Sequence, residues 1–408
     1  MRIALLSLAV PWADRPTNGL YNIAQCRAIK DLGHEAAVFS CAPMLPKAST
    51  KLSPLAARQY NRPDSYRVDG VEIRTARVLF GYSRLIRETI SPRFPSIIQR
   101  SFAWAVRNQL GRMLDEFTPD ALIIHGVFPW GRFALDYGKS RSLPIVVIEH
   151  SKSDLNMASR GQAYRRAYRS HANRCEHVFT VSNRMSDQLK EIGIERVSTI
   201  LNGIKQFDTH PEPNPPKHGS EKSSKPGTWF DVLVTGQYIA RKGHRYVLEA
   251  MTDPRLARVR VSLVGEPSPA INHLIDRLGL KGRVRVLPVL TQVELREQMS
   301  NADLFVLPSW GEAFGLVYLE SICAGTPVVL CNDSGASELE CVQNAGWIVA
   351  PQDANAIADA MYSVMNQDTR ELDKQVQCAA RWIRHHATWQ ENAQVLTKSI
   401  DGFITKTA

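Results

Sequence analysis

Two glutamates stand eight residues apart in a segment whose composition suits an anionic, hydroxyl-rich ligand. The segment runs from Gly311 to Glu320 and reads Gly-Glu-Ala-Phe-Gly-Leu-Val-Tyr-Leu-Glu, so its carboxylates are Glu312 and Glu320. A carboxylate accepts hydrogen bonds from vicinal hydroxyl groups, and each charged bond contributes about 1.5–3 kcal/mol. The pair therefore suits a ligand with hydroxyl groups at both ends, such as a nucleotide-sugar.

The flanking residues predict a strand, a loop and a helix around these glutamates. Leu304–Leu307 is an apolar run of buried-strand length, and helix-forming residues end before Gly325-Thr326-Pro327. A helix that begins near Phe314 or Gly315 directs its free N–H groups, with roughly half a positive charge, at a diphosphate. Eight helical residues span about 12 Å, which places Glu320 at a ribose and Glu312 at a hexose. From the spacing alone, two ordinary helix-surface charges fit equally well.

Length and composition indicate an ordinary globular protein with two domains. The chain has 408 residues, of which 44% are hydrophobic and 22% charged, enough for two buried cores. Its seven cysteines form no CxxC pair, so we expect buried thiols in a reduced cytoplasm rather than structural zinc. No apolar run reaches 18 residues, and the apolar N-terminus is better explained as a first strand than as a signal peptide.

Strands and helices alternate along the chain, which predicts an α/β fold of two Rossmann-like, doubly wound domains facing each other across a cleft. The alternation stops at 206–228, a Pro-, Ser- and Lys-rich stretch that we interpret as a linker or surface loop, and then starts again. The predicted domains are therefore residues 1–205 and 229–384.

Positive charge is concentrated in the first of these domains. Residues 1–205 contain 30 Lys and Arg against 17 Asp and Glu, a balance of +13, whereas the remaining residues contain 20 against 23, a balance of −3. The excess is dense from residue 84 to 112, where apolar residues interleave with arginines that include Arg84, Arg87, Arg93 and Arg100. This pattern suits an anionic membrane surface or an anionic acceptor, although solvated helix faces explain any single arginine as well. No nucleic-acid motif accompanies it, so we expect no nucleic-acid partner.

Taken in order, these motifs resemble the family 4 (group 1) glycosyltransferases with the two-domain GT-B fold. The resemblance covers most of the chain and is strongest between Gly236 and Asp353. The segments that carry it are Gly236-Gln237-Tyr238-Ile239-Ala240-Arg241-Lys242-Gly243, Val261–Glu266, Glu312–Glu320, Ala324–Val329, Ser334–Glu338 and Gly346–Val349, with weaker matches at Leu32–Glu35, Val181-Ser182 and Leu201–Ile204. It also implies that residues 385–408 form a last helix that packs back on the first domain.

The resemblance assigns a donor site to the second domain. It implies that Glu312 binds the hydroxyls of the donor sugar, that Glu320 binds the ribose, and that Lys242 offsets charge on the leaving diphosphate. The remaining donor-site residues that it implies are Phe314, Gly315 and Leu316 through their backbone, Arg241 beside the lysine, and Gln237, which replaces a basic residue found in many members.

The resemblance assigns fewer residues to the first domain. Asn18-Gly19 stands where members carry two glycines, and Gly19 keeps the close backbone approach to the donor. His150 matches a histidine near the reaction centre, whereas a satisfied core histidine is the default interpretation without the family pattern. His125 ends a neighbouring strand and is a candidate for lining the acceptor site, with a core role favoured.

The predicted function is a retaining glycosyltransferase that passes a hexose or N-acetylhexosamine to a glycan or lipid-linked acceptor in lipopolysaccharide or surface polysaccharide synthesis. A UDP-sugar donor is favoured over a GDP-sugar, no metal or other cofactor is expected, and the enzyme is predicted to be cytoplasmic with peripheral contact to anionic membrane. The resemblance implies that the departing phosphate helps to deprotonate the acceptor. The alternatives are another enzyme on the same fold, such as a nucleotide-sugar epimerase or phosphorylase, and a basic nucleic-acid- or membrane-binding protein with an inactive nucleotide site.

Overall fold

The computed structural model describes residues 1–12, 17–51, 54–79, 89–204 and 229–407, so the predicted linker 206–228 lies outside the described residues. Two compact units make up the chain: Met1–Lys205 with Trp389–Ala408, and Gln206–Thr388. The predicted boundary after residue 384 falls inside a helix, Thr369–His386, that packs on the second unit. The division therefore comes a few residues later, after this helix has ended.

The first unit is built on one sheet whose order is β3-β4-β2-β1-β5-β6-β7-β8. Its strands are β1 Arg2–Leu6, β2 Glu35–Pro43, β3 Ser65–Val68, β4 Val71–Val78, β5 Ala121–His125, β6 Ile145–Glu149, β7 His177–Thr180 and β8 Val197–Thr199. All neighbours pair in parallel except β3 and β4, an antiparallel hairpin at the edge that the sequence reading did not anticipate. Central strands such as β1 and β5 are buried on both faces, which is why they are continuously apolar.

Helices accompany the strands of the first unit. They are α1 Leu20–Asp31, α2 Pro54–Tyr60, α3 Pro95–Phe117, α4 Gly131–Lys139, α5 Ser153–Arg160, α6 Gln162–Ala172 and α7 Asn183–Glu191. The last helix of the chain, Trp389–Thr407, also belongs to this unit and packs against α1. Its buried Asn392 accepts a hydrogen bond from Gln25 at 2.7 Å and donates one to the carbonyl of Leu201 at 2.8 Å.

The second unit has a fully parallel sheet in the order β11-β10-β9-β12-β13-β14. Its strands are β9 Phe230–Thr235, β10 Val259–Val264, β11 Val284–Leu287, β12 Leu304–Leu307, β13 Val328–Cys331 and β14 Gly346–Val349. Its helices are α8 His244–Ala250, α9 Pro269–Arg277, α10 Gln292–Asn301, α11 Leu316–Cys323, α12 Glu340–Asn344, α13 Ala354–Met365 and α14 Thr369–His386, and the helix of the first unit that follows them is α15. The prediction of an α/β fold with two Rossmann-like domains is confirmed.

Each sheet reverses its strand order at one point. In the first unit β1 lies between β2 and β5, and in the second unit β9 lies between β10 and β12. Ligands of doubly wound sheets bind beyond the carboxyl ends of the strands at such a point, because the two flanking loops diverge there. The loops after β1, β5, β9 and β12 are therefore the ones to search for functional residues.

Candidate functional site

The turn from β12 into α11 depends on a glycine. Gly315 caps the helix with φ 98°, a left-handed conformation that residues with a side chain rarely adopt. A Cβ atom there would lie 2.5 Å from the ring of Tyr318, and that ring is fixed by a 2.8 Å hydrogen bond from its hydroxyl to the carbonyl of Leu307. Among the described residues, the N–H groups of Leu316 and Val317 find no acceptor. The helix therefore presents free donors and its positive end, as an anion requires.

Glu312 lies in the loop before this helix and is surrounded by donors. Its Oε2 accepts hydrogen bonds from Lys242 Nζ at 2.8 Å, Arg241 Nη1 at 3.0 Å and Ser309 Oγ at 2.9 Å. The expected 12 Å helical spacing from Glu312 to Glu320 does not apply, because α11 begins only at Leu316. Glu320 lies within α11, half-buried.

The charge of Glu312 is stabilised by these neighbours. Burial alone would raise the pKa of its carboxyl group, but Lys242, Arg241 and the Ser309 hydroxyl outweigh burial and hold the pKa below its ordinary value. The carboxylate is therefore ionised at neutral pH and forms an ion pair with two cations. A diphosphate would be attracted to the same two cations, because phosphate and carboxylate oxygens bind basic side chains in the same way.

The loop after β9 brings the two cations to this position. Arg241 and Lys242 lie on a 3₁₀ turn that ends at Gly243, whose φ is 74° and where a Cβ atom would lie 2.5 Å from the carbonyl of Pro308. The backbone N–H of Trp310 donates to the carbonyl of Arg241 at 3.0 Å. The two loops are thus joined backbone to backbone, so the cations and Glu312 are positioned together. Gln237, in the same loop, is exposed.

A third loop, after β13, forms hydrogen bonds with the loop that carries Glu312. Asp333 accepts a hydrogen bond from the N–H of Gly311 at 2.8 Å, and Ser334 Oγ donates to the carbonyl of Phe314 at 3.0 Å. The N–H of Ala336 donates to the same carbonyl at 2.8 Å. The carbonyl of Phe314 is therefore engaged within the protein, and the side chain of Phe314 is buried. A ligand at this position would meet backbone N–H groups as donors.

Two side chains near Lys242 have buried polar atoms without a hydrogen-bond partner in the described part of the chain. Among the described residues, neither ring nitrogen of His244 nor the hydroxyl of Tyr238 makes a hydrogen bond, and the two rings meet edge to face at 4.9 Å. Burial, reinforced by the charge of Lys242, lowers the pKa of His244 to about 4, so the imidazole is neutral. Sequence reasoning missed His244, because a single histidine after a turn glycine carries no spacing signal.

In the first unit, Gly19 brings the loop after β1 close to α1. Its φ is 70°, and a Cβ atom there would lie 2.0 Å from the carbonyl oxygen of Ala9. The neighbouring Asn18 donates to the carbonyl of Val10 at 3.5 Å, and Asn22 donates to that of Ala9 at 2.6 Å. A glycine is therefore required at position 19, whereas Asn18 helps to shape the loop.

The structure brings His125 and His150 together at the ends of β5 and β6. Their rings stack at 5.1 Å between centroids with an interplanar angle of 11°, and the ring of Tyr21 lies 4.5 Å from that of His150. None of the four imidazole nitrogens has a hydrogen-bond partner within the described ranges. For His125, the favoured core role and the alternative role at the acceptor site therefore both stay predictions.

Both histidines are neutral at physiological pH. Burial lowers the pKa of His150 to about 3, with the nearby Asn202 side chain opposing the shift. Burial also lowers the pKa of His125 well below its ordinary value, and His150 adds to the effect. Two neutral imidazoles offer nitrogen acceptors and N–H donors to a hydroxylated ligand. Tyr21 and Asn202 were not predicted as site residues; Asn202 belongs to a segment that carried the family resemblance.

The predicted membrane residues are only partly described. Arg84 and Arg87 lie outside the described residues. Arg93, just before α3, and Arg100, near the start of α3, are both exposed. Arg93 donates a hydrogen bond to the carbonyl of Thr89, and Arg100 donates one to the carbonyl of Ser96. None of the described helices combines the length and the hydropathy that a membrane span requires.

Both halves of the chain match a family model. Residues 20–206 match the model described as Glycosyltransferase Family 4, and residues 218–382 match the one described as Glycosyl transferases group 1. One curated relative is WcaL of Escherichia coli (strain K12), a protein named as a colanic acid biosynthesis glycosyltransferase. It is 24% identical over 309 residues, which cover 72% of this chain and 72% of that protein. The chain spans only about half the length of several further curated relatives.

Solved structures match over nearly the full length of the chain. Sucrose-phosphate synthase from Thermosynechococcus elongatus superposes with a TM-score of 0.73 at 18% identity and covers 99% of each chain. Anabaena HepE, in its complex with UDP-glucose, superposes with a TM-score of 0.66 at 18% identity and covers 98% of this chain and 100% of that one. At this identity the two likenesses establish the GT-B fold.

Proposed function

The chain belongs to the family 4 (group 1) glycosyltransferases, and on that premise we propose that it transfers a hexose or N-acetylhexosamine from a nucleotide-sugar to a hydroxyl group, with retention at the anomeric carbon. The observation that carries this proposal is the convergence of Lys242 and Arg241, within 3.0 Å of Glu312, beside the free N–H groups of α11. Cations and helix N-termini bind phosphate, and a carboxylate binds sugar hydroxyls, so the cluster combines both halves of a nucleotide-sugar site.

The donor would be held along the loop and α11. Leu316 and Val317 donate their N–H groups to the diphosphate, Glu320 accepts from the ribose hydroxyls, and Glu312 accepts from the hexose. UDP is the favoured nucleotide, a preference supported by the UDP-glucose complex of HepE. Epimeric sugars differ in one hydroxyl, so the identity of the hexose depends on how it meets Glu312.

The chemistry would consist of stabilising the leaving group. As the bond from the anomeric carbon to the diphosphate breaks, negative charge grows on the departing oxygen, and Lys242 and Arg241 offset it. The acceptor hydroxyl passes its proton to the departing phosphate, so the reaction requires no separate carboxylate base. In this scheme Glu312 orients the sugar and does not act as a covalent nucleophile. No step in this scheme uses a metal ion.

The acceptor would be bound by the first unit. The nitrogens of His125 and His150, which have no hydrogen-bond partner among the described residues, suit hydroxyl groups of a glycan or of a lipid-linked saccharide, with Tyr21 beside them. Synthesis of lipopolysaccharide or surface polysaccharide is the proposed setting, and the relative named for colanic acid synthesis supports it. Peripheral contact with anionic membrane would bring the enzyme to a lipid-linked acceptor.

A nucleotide screen followed by two substitutions tests the donor site. We expect UDP to raise the melting temperature more than GDP or ADP, and transfer from the matching sugar to persist after treatment with EDTA. Glu320→Ala should weaken UDP binding, whereas Lys242→Ala should lower kcat more than it raises KM, because its charge acts most strongly on the leaving group. Arg245→Ala, in the exposed first turn of α8, is the matched charge control. Unchanged kinetics in both site variants would reject the assignment.

A further inference from the structure

Two buried acids lie at the strand ends that carry the two histidines. Glu149 and Asp154 are 3% and 8% exposed, and neither has a role in the function proposed above. Glu149 is the last residue of β6 and immediately precedes His150, while Asp154 lies in the first turn of α5. Burying two carboxyl groups side by side is unfavourable, so their surroundings must explain why both are there.

Both acids bind the loop that follows β5. Glu149 Oε1 accepts the N–H of Val127 at 3.0 Å, and Asp154 Oδ2 accepts the N–H of Phe128 at 3.3 Å. A Cβ atom on Gly126 would lie 3.9 Å from Glu149 Oε2 and 3.7 Å from Asp154 Oδ2. The two carboxyl groups therefore border one strand end, immediately after His125, and hold consecutive N–H groups of its loop.

Helix α6 completes this network with two buried tyrosines. The hydroxyl of Tyr168 donates to Glu149 Oε1 at 2.8 Å, and that of Tyr164 donates to Asp154 Oδ1 at 3.0 Å. The ring of Tyr164 also stacks on Phe128 at 4.3 Å. The acids thus join β6, α5, α6 and the loop after β5; His125 immediately precedes that loop, and His150 immediately follows β6.

We propose that Glu149 and Asp154 form a buried carboxyl pair that positions His125 and His150 for the acceptor, and that the pair works while it shares a single negative charge. This inference rests on the proposed function only for the role of the histidines. Because Oε1 of Glu149 already accepts two hydrogen bonds, its proton resides on Oε2. The protonated pair accepts four hydrogen bonds, two from the loop after β5 and two from α6, and carries one charge, whereas two ionised carboxylates would repel each other in a buried site.

The groups around Glu149 favour the retention of one proton by the carboxyl pair. Burial and then the neighbouring Asp154 raise the pKa of Glu149 to about 8, and the bonds from Val127 and Tyr168 oppose the shift only in part. Among the described residues, further titratable groups nearby are Tyr21 on α1, which interacts electrostatically with Glu149, Tyr164 on α6, which donates to Asp154, and the neutral His150, which follows Glu149 in the chain. Within the described ranges, no Lys or Arg donates a hydrogen bond to Glu149. Glu149 is therefore a positioning residue with a titration near physiological pH.

Thermal unfolding against pH tests the shared proton without any substrate. The pKa of Glu149 is about 8 in the folded chain against an ordinary value of 4.5, so the folded chain keeps a proton that the unfolded chain loses. The stability of the wild type should therefore fall, relative to Glu149→Gln, as pH rises from about 4.5 to about 8, and then level off. Glu176→Gln is the control, because Glu176 is a second acid whose pKa is raised and it accepts the N–H of Ile145 at the opposite end of β6. Parallel curves for wild type and Glu149→Gln would overturn the shared proton.

Acceptor kinetics test the positioning role. Wild-type kcat should fall through about pH 8, whereas Glu149→Gln, which keeps the acceptor oxygen and cannot ionise, should stay active above it. Glu149→Ala should lower kcat/KM for the acceptor by about tenfold to a hundredfold through misplaced histidines, with UDP affinity unchanged. Wild-type acceptor kinetics in Glu149→Ala would overturn the role, and if that variant fails to fold, the alkaline profile of Glu149→Gln decides. If the wild type transfers no sugar, the proposed function fails, while the unfolding curves still decide the shared proton.

Discussion

The carboxylate of Glu312 forms ion pairs with the two cations that the proposed diphosphate site would use. In the chain without ligand, Lys242 and Arg241 both contact its Oε2. An incoming diphosphate therefore meets two cations that are already neutralised in part, together with a nearby like charge. Under the proposed function, donor binding would be an exchange of partners, in which the cations turn to phosphate and the freed carboxylate turns to the sugar hydroxyls.

Glu312→Gln should tighten the binding of UDP and weaken catalysis. Removal of the carboxylate charge frees Lys242 and Arg241 for phosphate, and we expect the Kd for UDP to fall by about tenfold, or about 1.4 kcal/mol. The sugar loses its charged acceptor, so kcat for transfer should fall by about a hundredfold. Isothermal titration with UDP and a transfer assay with the matching nucleotide-sugar measure the two effects.

Glu320→Gln is the control for this exchange, because it removes the other carboxylate of the segment without touching either cation. Glu320→Gln should weaken the binding of UDP, because the contact with the ribose is lost. The gain in Glu312→Gln should shrink as salt is added, since the charges involved are partly exposed. Weaker UDP binding in Glu312→Gln would show that its carboxylate does not compete with phosphate.

The sequence identified these residues but not how they are joined. The two cations and Glu312 were each predicted from motifs, yet the ion pairs link positions some seventy residues apart, and no local pattern specifies such a contact. Ser309 and Asp333 were missed for the same reason, because a serine or aspartate after a strand is common in loops. The stacking of His125 on His150 depends on the pairing of β5 with β6, which the sequence order alone does not fix.

At the scale of elements, the start of α11 is the feature most sensitive to substitution. Gly315→Ala should lower both stability and UDP affinity, because a left-handed residue costs about 1–2 kcal/mol and its Cβ would also strike the ring of Tyr318. That ring is held by Leu307, so relief of the contact would shift the helix N-terminus away from the phosphate position. Urea unfolding and UDP titration measure the two losses.

Gly311→Ala provides a control from the same loop. Gly311 also has a positive φ, 65°, but apart from its chain neighbours no atom of the described residues lies within 4 Å of its Cβ position. Gly311→Ala should therefore lose only the stability that backbone strain costs and keep most of the affinity for UDP. Equal losses of UDP affinity in the two variants would mean that the geometry at Gly315 has no special part in ligand binding.

The buried elements were predictable because burial leaves a direct mark on the sequence. Strand β12 was predicted with the observed bounds, Leu304–Leu307, since it is a buried apolar run between turn residues. The hairpin of β3 and β4 was not predicted, because its edge strand alternates exposed and half-buried residues and includes Arg67. An edge strand of this kind resembles a polar loop in sequence.

At the scale of the whole molecule, charge separates the two halves of the chain. The first 205 residues carry 30 basic and 17 acidic residues, a net +13, while the chain as a whole carries +10. Part of this charge forms a stripe on α3 and just before it, where Arg93, Ile97, Arg100, Trp104 and Arg107 recur every three or four residues. All five are exposed, and Trp104 is 64% accessible. The opposite face of the helix packs into the core, so the stripe is available to a partner.

We expect this stripe to bind vesicles that contain anionic lipid and to ignore neutral ones. Each arginine near an anionic surface contributes about 1 kcal/mol, and apolar side chains that enter the interface add to the attraction. Co-sedimentation should therefore decrease in Arg100→Gln/Arg107→Gln and in Trp104→Ala, and it should decrease with salt. The matched controls lie on α14 of the second unit: Arg370→Gln/Arg381→Gln and Trp382→Ala, which alter exposed residues of the same types and should bind like the wild type. Equal binding to neutral and anionic vesicles, or equal losses in the stripe and control variants, would mean that the basic half of the molecule serves the acceptor rather than a membrane.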